Sequence, residues 1–119
     1  SEYEVDGGVR RLVGFGPGLT PSGDDFLGGM MIALSALYRA EGDDTTSCGA
    51  DSDMQIMTSV LAECVRRNTA AGTTRISASL LAYAAEGVGS AAVHRLIQAI
   101  LGADADAGCS PTEPRGSIQ

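Results

Sequence analysis

Apolar residues recur every three or four positions along four stretches of the chain, a spacing that predicts helices and an all-α fold. The first predicted helix starts at Thr20 or Ser22 and runs to about Tyr38, and small residues fill most of its other positions. A helix that is small or apolar nearly all round is typical of a central, buried element. The other three are predicted over residues 53–68, 74–86 and 90–102, which gives a compact array of about four helices.

The same spacing predicts which side chains face the core. They are Leu27, Met30, Met31, Leu34, Leu37 and Tyr38 in the first helix, Met57, Val60, Leu61, Cys64 and Val65 in the second, Ile76, Leu80, Leu81 and Ala84 in the third, and Val93, Leu96, Ile97, Ile100 and Leu101 in the fourth. Residues 1–11 are polar, with a turn expected at Gly7 and Gly8, and residues 41–53 form an acidic linker. We therefore expect one helical domain over residues 1–102 and an irregular or disordered tail over residues 103–119.

The charge balance narrows the range of partners. The net charge is −7, from fifteen acids against eight bases, and every base is Arg. An acidic chain without a basic cluster is poorly suited to nucleic acid or to a membrane surface. The absence of Lys excludes a P-loop lysine and a lysine Schiff base. The longest apolar run, residues 26–38, is too short and too rich in glycine to span a bilayer, so we expect a cytoplasmic protein.

Three cysteines stand far apart along the chain. Cys48, Cys64 and Cys109 form no CxxC pair, and the single histidine, His94, is near none of them in sequence. This spacing favours ordinary thiols over a disulfide framework or a zinc site. His94 is expected to be a surface or capping residue of the fourth helix.

The segment GFGPGLTPSGDDF, residues 14–26, contains four glycines and two prolines just before the first predicted helix. Glycine permits positive φ and proline fixes φ, so the segment encodes one definite loop shape. Where it enters the helix, the amides of Gly16, Gly18 and Gly23 and the hydroxyls of Thr20 and Ser22 could surround a phosphate or carboxylate. The alternative is a structural loop whose hydroxyls only cap the helix. The glycine spacing does not match the dinucleotide-binding fingerprint.

Two adjacent carboxylates, Asp24 and Asp25, follow this loop. Neighbouring helical residues point about 100° apart, so we expect one to cap the helix and the other to face the loop. A carboxylate beside an anion needs a cation between them, which Mg²⁺ or an arginine would supply. No cofactor beyond Mg²⁺ is indicated.

The segment NTAAGTTRIS, residues 68–77, is the second polar constellation. Thr73 or Thr74 is expected to cap the third predicted helix, and Arg75 falls in its first turn, where a cation opposes the helix dipole. Arg75 therefore needs a partner. Either an ion pair with Asp24 or Asp25 or a bound oxyanion satisfies this need.

Taken together, GPGLTPSGDDFLGG, TTRISASLLAYAAEG and the helix that contains His94 resemble a bacterial family over residues 9–102. The family was catalogued as a domain of unknown function, was labelled a carboxylase, and is now linked to the oxamate carbamoyltransferase subunit of anaerobic allantoin degradation. Its members are longer at both ends, so the resemblance implies that this chain is a fragment of a longer family protein.

The resemblance implies a subunit of a carbamoyltransferase-like enzyme that binds carbamoyl phosphate or an oxamate-like ligand. The ligand-binding residues would be Gly16, Gly18, Thr20, Ser22, Gly23, Thr73 and Thr74. Asp24 or Asp25 would position an ammonium, an amide N–H or Mg²⁺, and Arg75 would neutralise oxyanion charge. The expected partners are a small anionic ligand and other enzyme subunits or a second copy. Two alternatives remain open: a non-catalytic helical interaction subunit, and a component of an ATP- or acyl-phosphate-dependent carboxylase.

Overall fold

A computed structural model describes residues 1–41 and 50–106. These residues form five α-helices and no strand: α1 Glu2–Leu12, α2 Ser22–Glu41, α3 Ala50–Gly72, α4 Arg75–Ala85 and α5 Ala91–Asp106. The predicted all-α fold is confirmed. Helices α2 to α5 correspond to the four predicted helices, and α1 is additional.

The prediction of a turn at Gly7 and Gly8 was wrong, because both glycines lie inside α1. The helix begins with a capping box in which the Ser1 hydroxyl accepts from the Glu4 amide and the Glu4 side chain accepts from the Ser1 amino group. Acids in its first turn and Arg10 and Arg11 in its last turn complement the helix dipole. These local terms, with burial of Val9, outweigh the low helix propensity of the two glycines.

The chain divides into two compact units, residues 1–89 and residues 90–119. In the first unit, α2 packs against α1, α3 and α4, and α3 also packs against α1 and α4. Helices α2 and α3 therefore each pack against all the other helices of this unit. The unit buries the apolar side chains of Val9, Leu27, Met31, Ile32, Leu61, Ala62, Cys64, Val65, Leu81 and Ala84.

Helix α4 buries a different stripe from the one predicted. Ile76 and Leu80 are about half exposed, whereas Ser77, Leu81 and Ala84 are buried. A Cβ placed on Gly28 of α2 would lie 3.7 Å from the Ala84 Cβ, so the two helices approach closely. Apolar residues cover most of the circumference of α4, and their spacing alone could not identify the inner face. The same correction applies to Met30 in α2, Met57 in α3 and three residues of α5, all predicted inside and found exposed: Val93, Leu96 and Ile100.

The second unit contains α5, which continues to Asp106, four residues past its predicted end. The Ser90 hydroxyl accepts from the Val93 amide at 3.2 Å and caps the start of the helix. The predicted tail beyond residue 106, and the linker residues 42–49, lie outside the described residues, as do Cys48 and Cys109. A single domain over residues 1–102 stays a prediction. No helix in the described part of the chain is both long and apolar enough to cross a membrane.

Candidate functional site

Three glycines of the loop between α1 and α2 have positive φ. Gly14, Gly16 and Gly18 have φ values of 75°, 115° and 93°, a region that other residues rarely adopt. The loop closes on itself through hydrogen bonds from the Phe15 amide to the Leu12 carbonyl and from the Gly23 amide to the Phe15 carbonyl, both 2.9 Å. The loop is therefore fixed at both ends.

The start of α2 differs from both predictions, which made Thr20 or Ser22 the N-cap. The helix begins at Ser22, and the Pro21 carbonyl accepts from the amides of Asp24 at 2.9 Å and Asp25 at 3.1 Å. The Ser22 hydroxyl donates to the Phe15 carbonyl instead of capping the helix, and Thr20 is exposed. Because the first amides of α2 already have protein acceptors, this helix start has little donor capacity left for a ligand.

The Asp24 side chain is 2% exposed and joins three segments of the chain. One carboxylate oxygen accepts from the Gly14 amide at 2.8 Å, and the other accepts from the hydroxyls of Thr73 and Ser77. A buried carboxylate is stable only when such donors replace its water. Asp25, the next residue, is exposed. The two carboxylates therefore occupy different environments, as their angular separation predicts.

The junction between α3 and α4 lies against the same loop. Thr74 is the N-cap of α4: its hydroxyl accepts from the Ser77 amide at 3.1 Å. The same hydroxyl donates to the Leu19 carbonyl at 2.5 Å and so attaches the loop to the junction. Of the two predicted caps, Thr74 has that role, whereas Thr73 bonds to Asp24.

The predicted ion pair between Arg75 and Asp24 or Asp25 does not form. Arg75 is exposed, and the ion pairs among the described residues do not include it. Asp24 is satisfied by an amide and two hydroxyls instead. This leaves the guanidinium of Arg75 available at the start of α4.

A cleft of about 340 Å³ lies between the loop and the α3–α4 junction. It is lined by Gly14, Gly16, Gly18, Pro21, Ala71, Gly72, Thr73 and Thr74. The structure thus brings together the two segments that the sequence singled out separately.

The predicted site residues fall into three groups relative to this cleft. Gly16, Gly18, Thr73 and Thr74 line it, whereas Gly23 and Asp24 are buried and bonded to other parts of the chain. The third group, Thr20, Ser22, Asp25 and Arg75, consists of exposed residues that do not line the cleft.

Sequence reasoning missed Gly14, Gly72 and Ser77 as parts of this arrangement. A Cβ on Gly14 would lie 2.1 Å from the Gly72 carbonyl oxygen, and one on Gly72 would lie 2.9 Å from a Val13 methyl. These two glycines allow the loop and the end of α3 to touch. The sequence Gly72-Thr73-Thr74 after a long predicted helix was the available signal for this junction. Nothing in the sequence linked it to Gly14.

The described residues contain no group of three or more His, Cys, Asp or Glu that could hold a metal ion. Both oxygens of Asp24 accept hydrogen bonds from the protein, and Asp25 is an exposed single carboxylate.

Cys64 is fully buried in α3, and burial raises the pKa of its thiol above the ordinary value of 9.0. The negative charge of Asp6 adds to this rise. Since the thiolate is the reactive form, burial and the raised pKa both disfavour reaction of this cysteine near neutral pH. Its role is packing.

These features define an all-α protein with a glycine-lined cleft beside a buried, hydrogen-bonded carboxylate. A family model described as "Oxamate carbamoyltransferase subunit AllH" matches residues 12–113, which include the loop, Asp24 and the α3–α4 junction. The chain belongs to this family. Searches of the curated proteins and of the solved structures returned no match.

Proposed function

We propose that this chain is a subunit of a carbamoyltransferase and that its cleft holds a small oxyanion, either carbamoyl phosphate or an oxamate-like ligand. One observation carries the proposal: the glycine loop and the GTT junction meet at a single cleft and are attached there by Asp24 and Thr74. The family supports the class of enzyme, and the cleft supports the location.

The donors that suit an oxyanion are backbone amides. Within the described part of the chain, the amides of Gly16 and Gly18 donate no hydrogen bond to protein. These two amides flank Pro17, which has no N–H, and they are unpaired donors available to an anion. Thr74 also places the N-terminus of α4, with its partial positive charge, next to the cleft. The start of α4 therefore suits the ligand better than the start of α2, whose amides are occupied.

In this proposal, Arg75 neutralises the negative charge of the bound oxyanion. Its guanidinium is exposed, has no ion-pair partner among the described residues and follows Thr74 directly. Asp25 remains as the exposed carboxylate that would position an ammonium group or Mg²⁺. Thr20 in the loop and Ser22 at the start of α2 carry further exposed hydroxyls.

Carbamoyl transfer fits such a site chemically. The acceptor nitrogen forms a bond to the carbamoyl carbon, the bond from that carbon to the phosphate oxygen breaks, and phosphate leaves with the electron pair while the nitrogen loses a proton. The reaction needs orientation of two small ligands and stabilisation of oxyanion charge more than it needs a protein nucleophile. Amides and one arginine provide these two functions.

Isothermal titration calorimetry with carbamoyl phosphate, with and without Mg²⁺, tests the proposal. We expect saturable binding by the 119-residue chain and at least about tenfold weaker binding by Arg75→Ala, because a charge-assisted hydrogen bond is lost. Arg95→Ala, which removes another exposed arginine in the second unit, is the control and should bind normally. The absence of binding to the wild-type chain contradicts the proposal, and Mg²⁺-dependent binding of ATP would favour the carboxylase component instead.

A second candidate function, a helical interaction subunit, is favoured by exposed apolar residues. Ile76, Leu80 and Tyr83 form an exposed stripe on α4, with each side chain more than half exposed. Phe26 and Met30 form another on α2. Contiguous apolar surface of this kind is typical of contact with another protein. Sedimentation equilibrium should show association that Leu80→Glu abolishes and that the control Ala82→Glu leaves unchanged; a monomer at all concentrations contradicts self-association.

A further inference from the structure

The two adjacent threonines that line the cleft differ in the hydrogen bonds that remain to them. The Thr74 hydroxyl donates to the Leu19 carbonyl and accepts from the Ser77 amide, so it has little capacity for a ligand. The Thr73 hydroxyl donates to Asp24 and, within the described residues, accepts from nothing. A hydroxyl has one proton and two lone pairs. Toward the cleft, Thr73 can therefore act only as an acceptor.

Asp24 keeps the hydroxyl proton of Thr73 directed at its own carboxylate. The carboxylate is buried, and among the described residues no cation pairs with it. It depends on the Gly14 amide and on the two hydroxyls of Thr73 and Ser77. A hydrogen bond to an ionised acceptor is roughly twice as strong as one between neutral groups. A neutral ligand acceptor in the cleft therefore does not outcompete Asp24 for this proton.

We infer that Thr73 selects the ligand by accepting a hydrogen bond from an amide N–H, and that Asp24 is the positioning residue that fixes this polarity. The inference rests on the proposed function, since it requires an oxyanion in the cleft. The amides of Gly16 and Gly18 are donors and suit the oxygens of the ligand, whereas the lone pairs of Thr73 repel an oxyanion and suit an N–H. The cleft thus prefers small anions that also carry a carbamoyl or carboxamide group.

Two pairs of near-isosteric ligands isolate this contact. Carbamoyl phosphate and acetyl phosphate differ by an amino group in place of a methyl group, and so do oxamate and pyruvate. We expect the wild-type chain to bind the amide member of each pair about fivefold to tenfold more tightly in calorimetry, the difference that one neutral hydrogen bond makes. Thr73→Ser keeps the hydroxyl and should keep the preference. Thr73→Val keeps the shape and should bind both members equally.

The ligand preference of Asp24→Asn is a second measurement, and a purely structural role of Asp24 would not change it. The asparagine amide can donate to the Thr73 hydroxyl, which frees the hydroxyl proton for the cleft. The preference for the amide ligand should then disappear or reverse, provided that circular dichroism shows a folded chain.

The outcomes separate this inference from the proposed function. Equal wild-type affinity for the two members of a pair overturns the role of Thr73 and leaves an oxyanion cleft in place. A preference that survives in Thr73→Val also overturns it. Failure of the wild-type chain to bind any of the four ligands overturns both proposals.

Discussion

The carboxylate of Asp24 accepts a 2.8 Å hydrogen bond from the backbone amide of Gly14, ten residues earlier in the chain. The bond joins the first turn of α2 to the beginning of the loop that precedes it. Because the other carboxylate oxygen bonds to Thr73 and Ser77, one side chain determines how the loop meets the start of α4. The shape of the cleft therefore depends on a residue that does not line it.

Replacing Asp24 should destabilise the first unit far more than replacing its neighbour. Asp24→Ala leaves a part-buried amide and two hydroxyls without an acceptor, which we expect to cost about 3 kcal/mol of unfolding free energy. Asp25→Ala removes an exposed first-turn acid and should cost less than about 1 kcal/mol. Urea unfolding followed by circular dichroism measures both. Equal effects of the two substitutions would show that the hydrogen bonds of Asp24 contribute little.

Two glycines of α2 provide a steric test of the same loop contact. A Cβ on Gly23 would lie 2.0 Å from the Leu12 carbonyl oxygen, so Gly23→Ala must displace the loop and should cost about 2 kcal/mol or more. Gly29 is exposed in the same helix with nothing within 4 Å of its added Cβ. Gly29→Ala should therefore stabilise the protein by about 0.5–1 kcal/mol through helix propensity. Thermal unfolding of the two variants should move in opposite directions, and a Gly23→Ala variant as stable as wild type contradicts the contact.

Adjacent leucines of α4 test which of its faces is buried. Leu81 is 2% exposed, whereas Leu80 is 53% exposed. We expect Leu81→Ala to cost about 2–5 kcal/mol, the range for buried leucines, and Leu80→Ala to change the unfolding free energy by less than about 0.5 kcal/mol. Chemical denaturation of the two variants distinguishes the faces, and a larger loss in Leu80→Ala would contradict the packing of α4.

Burial of Cys64 should make stability fall at alkaline pH. The folded-state pKa of its thiol is raised above 9.0, so folding favours the protonated form. The contribution to stability is complete below pH 9 and is lost as the pH rises through the folded-state value.

In a background that carries Cys48→Ser and Cys109→Ser, the unfolding free energy should decline as the pH rises above 9.0. It should decline less when Cys64→Ala is added, because the other ionisable groups remain the same. Identical pH dependence in the two proteins would contradict a buried thiol with a raised pKa.

Helix type and number were largely predictable from sequence, because apolar spacing identifies long helices well. The exception was α1, where Gly7 and Gly8 obscured a helix stabilised by capping and dipole complementarity. The inner face of α4 was not predictable, since the polar Ser77 is buried there and donates to Asp24. That partnership depends on two residues 53 positions apart.

The candidate site was predictable as two segments but not as one cleft. The positive φ values of Gly14, Gly16 and Gly18 follow from local sequence chemistry. The roles of Thr73 and Thr74 were not distinguishable locally, because both are good caps and their tertiary partners decide between them. The expected ion pair of Arg75 does not form, and this too depends on tertiary partners, since Asp24 bonds to an amide and two hydroxyls.

Filling the cleft with a large side chain tests directly whether the ligand binds there. Ala71 and Ala70 are neighbouring exposed residues of α3, and only Ala71 lines the cleft. Calorimetric titration of Ala71→Phe and Ala70→Phe with carbamoyl phosphate compares a blocked cleft with a matched surface change. We expect Ala71→Phe to bind at least about tenfold more weakly, or by about 1.4 kcal/mol, and Ala70→Phe to bind like the wild-type chain. Wild-type affinity in a folded Ala71→Phe variant would contradict the assignment of the ligand site to this cleft.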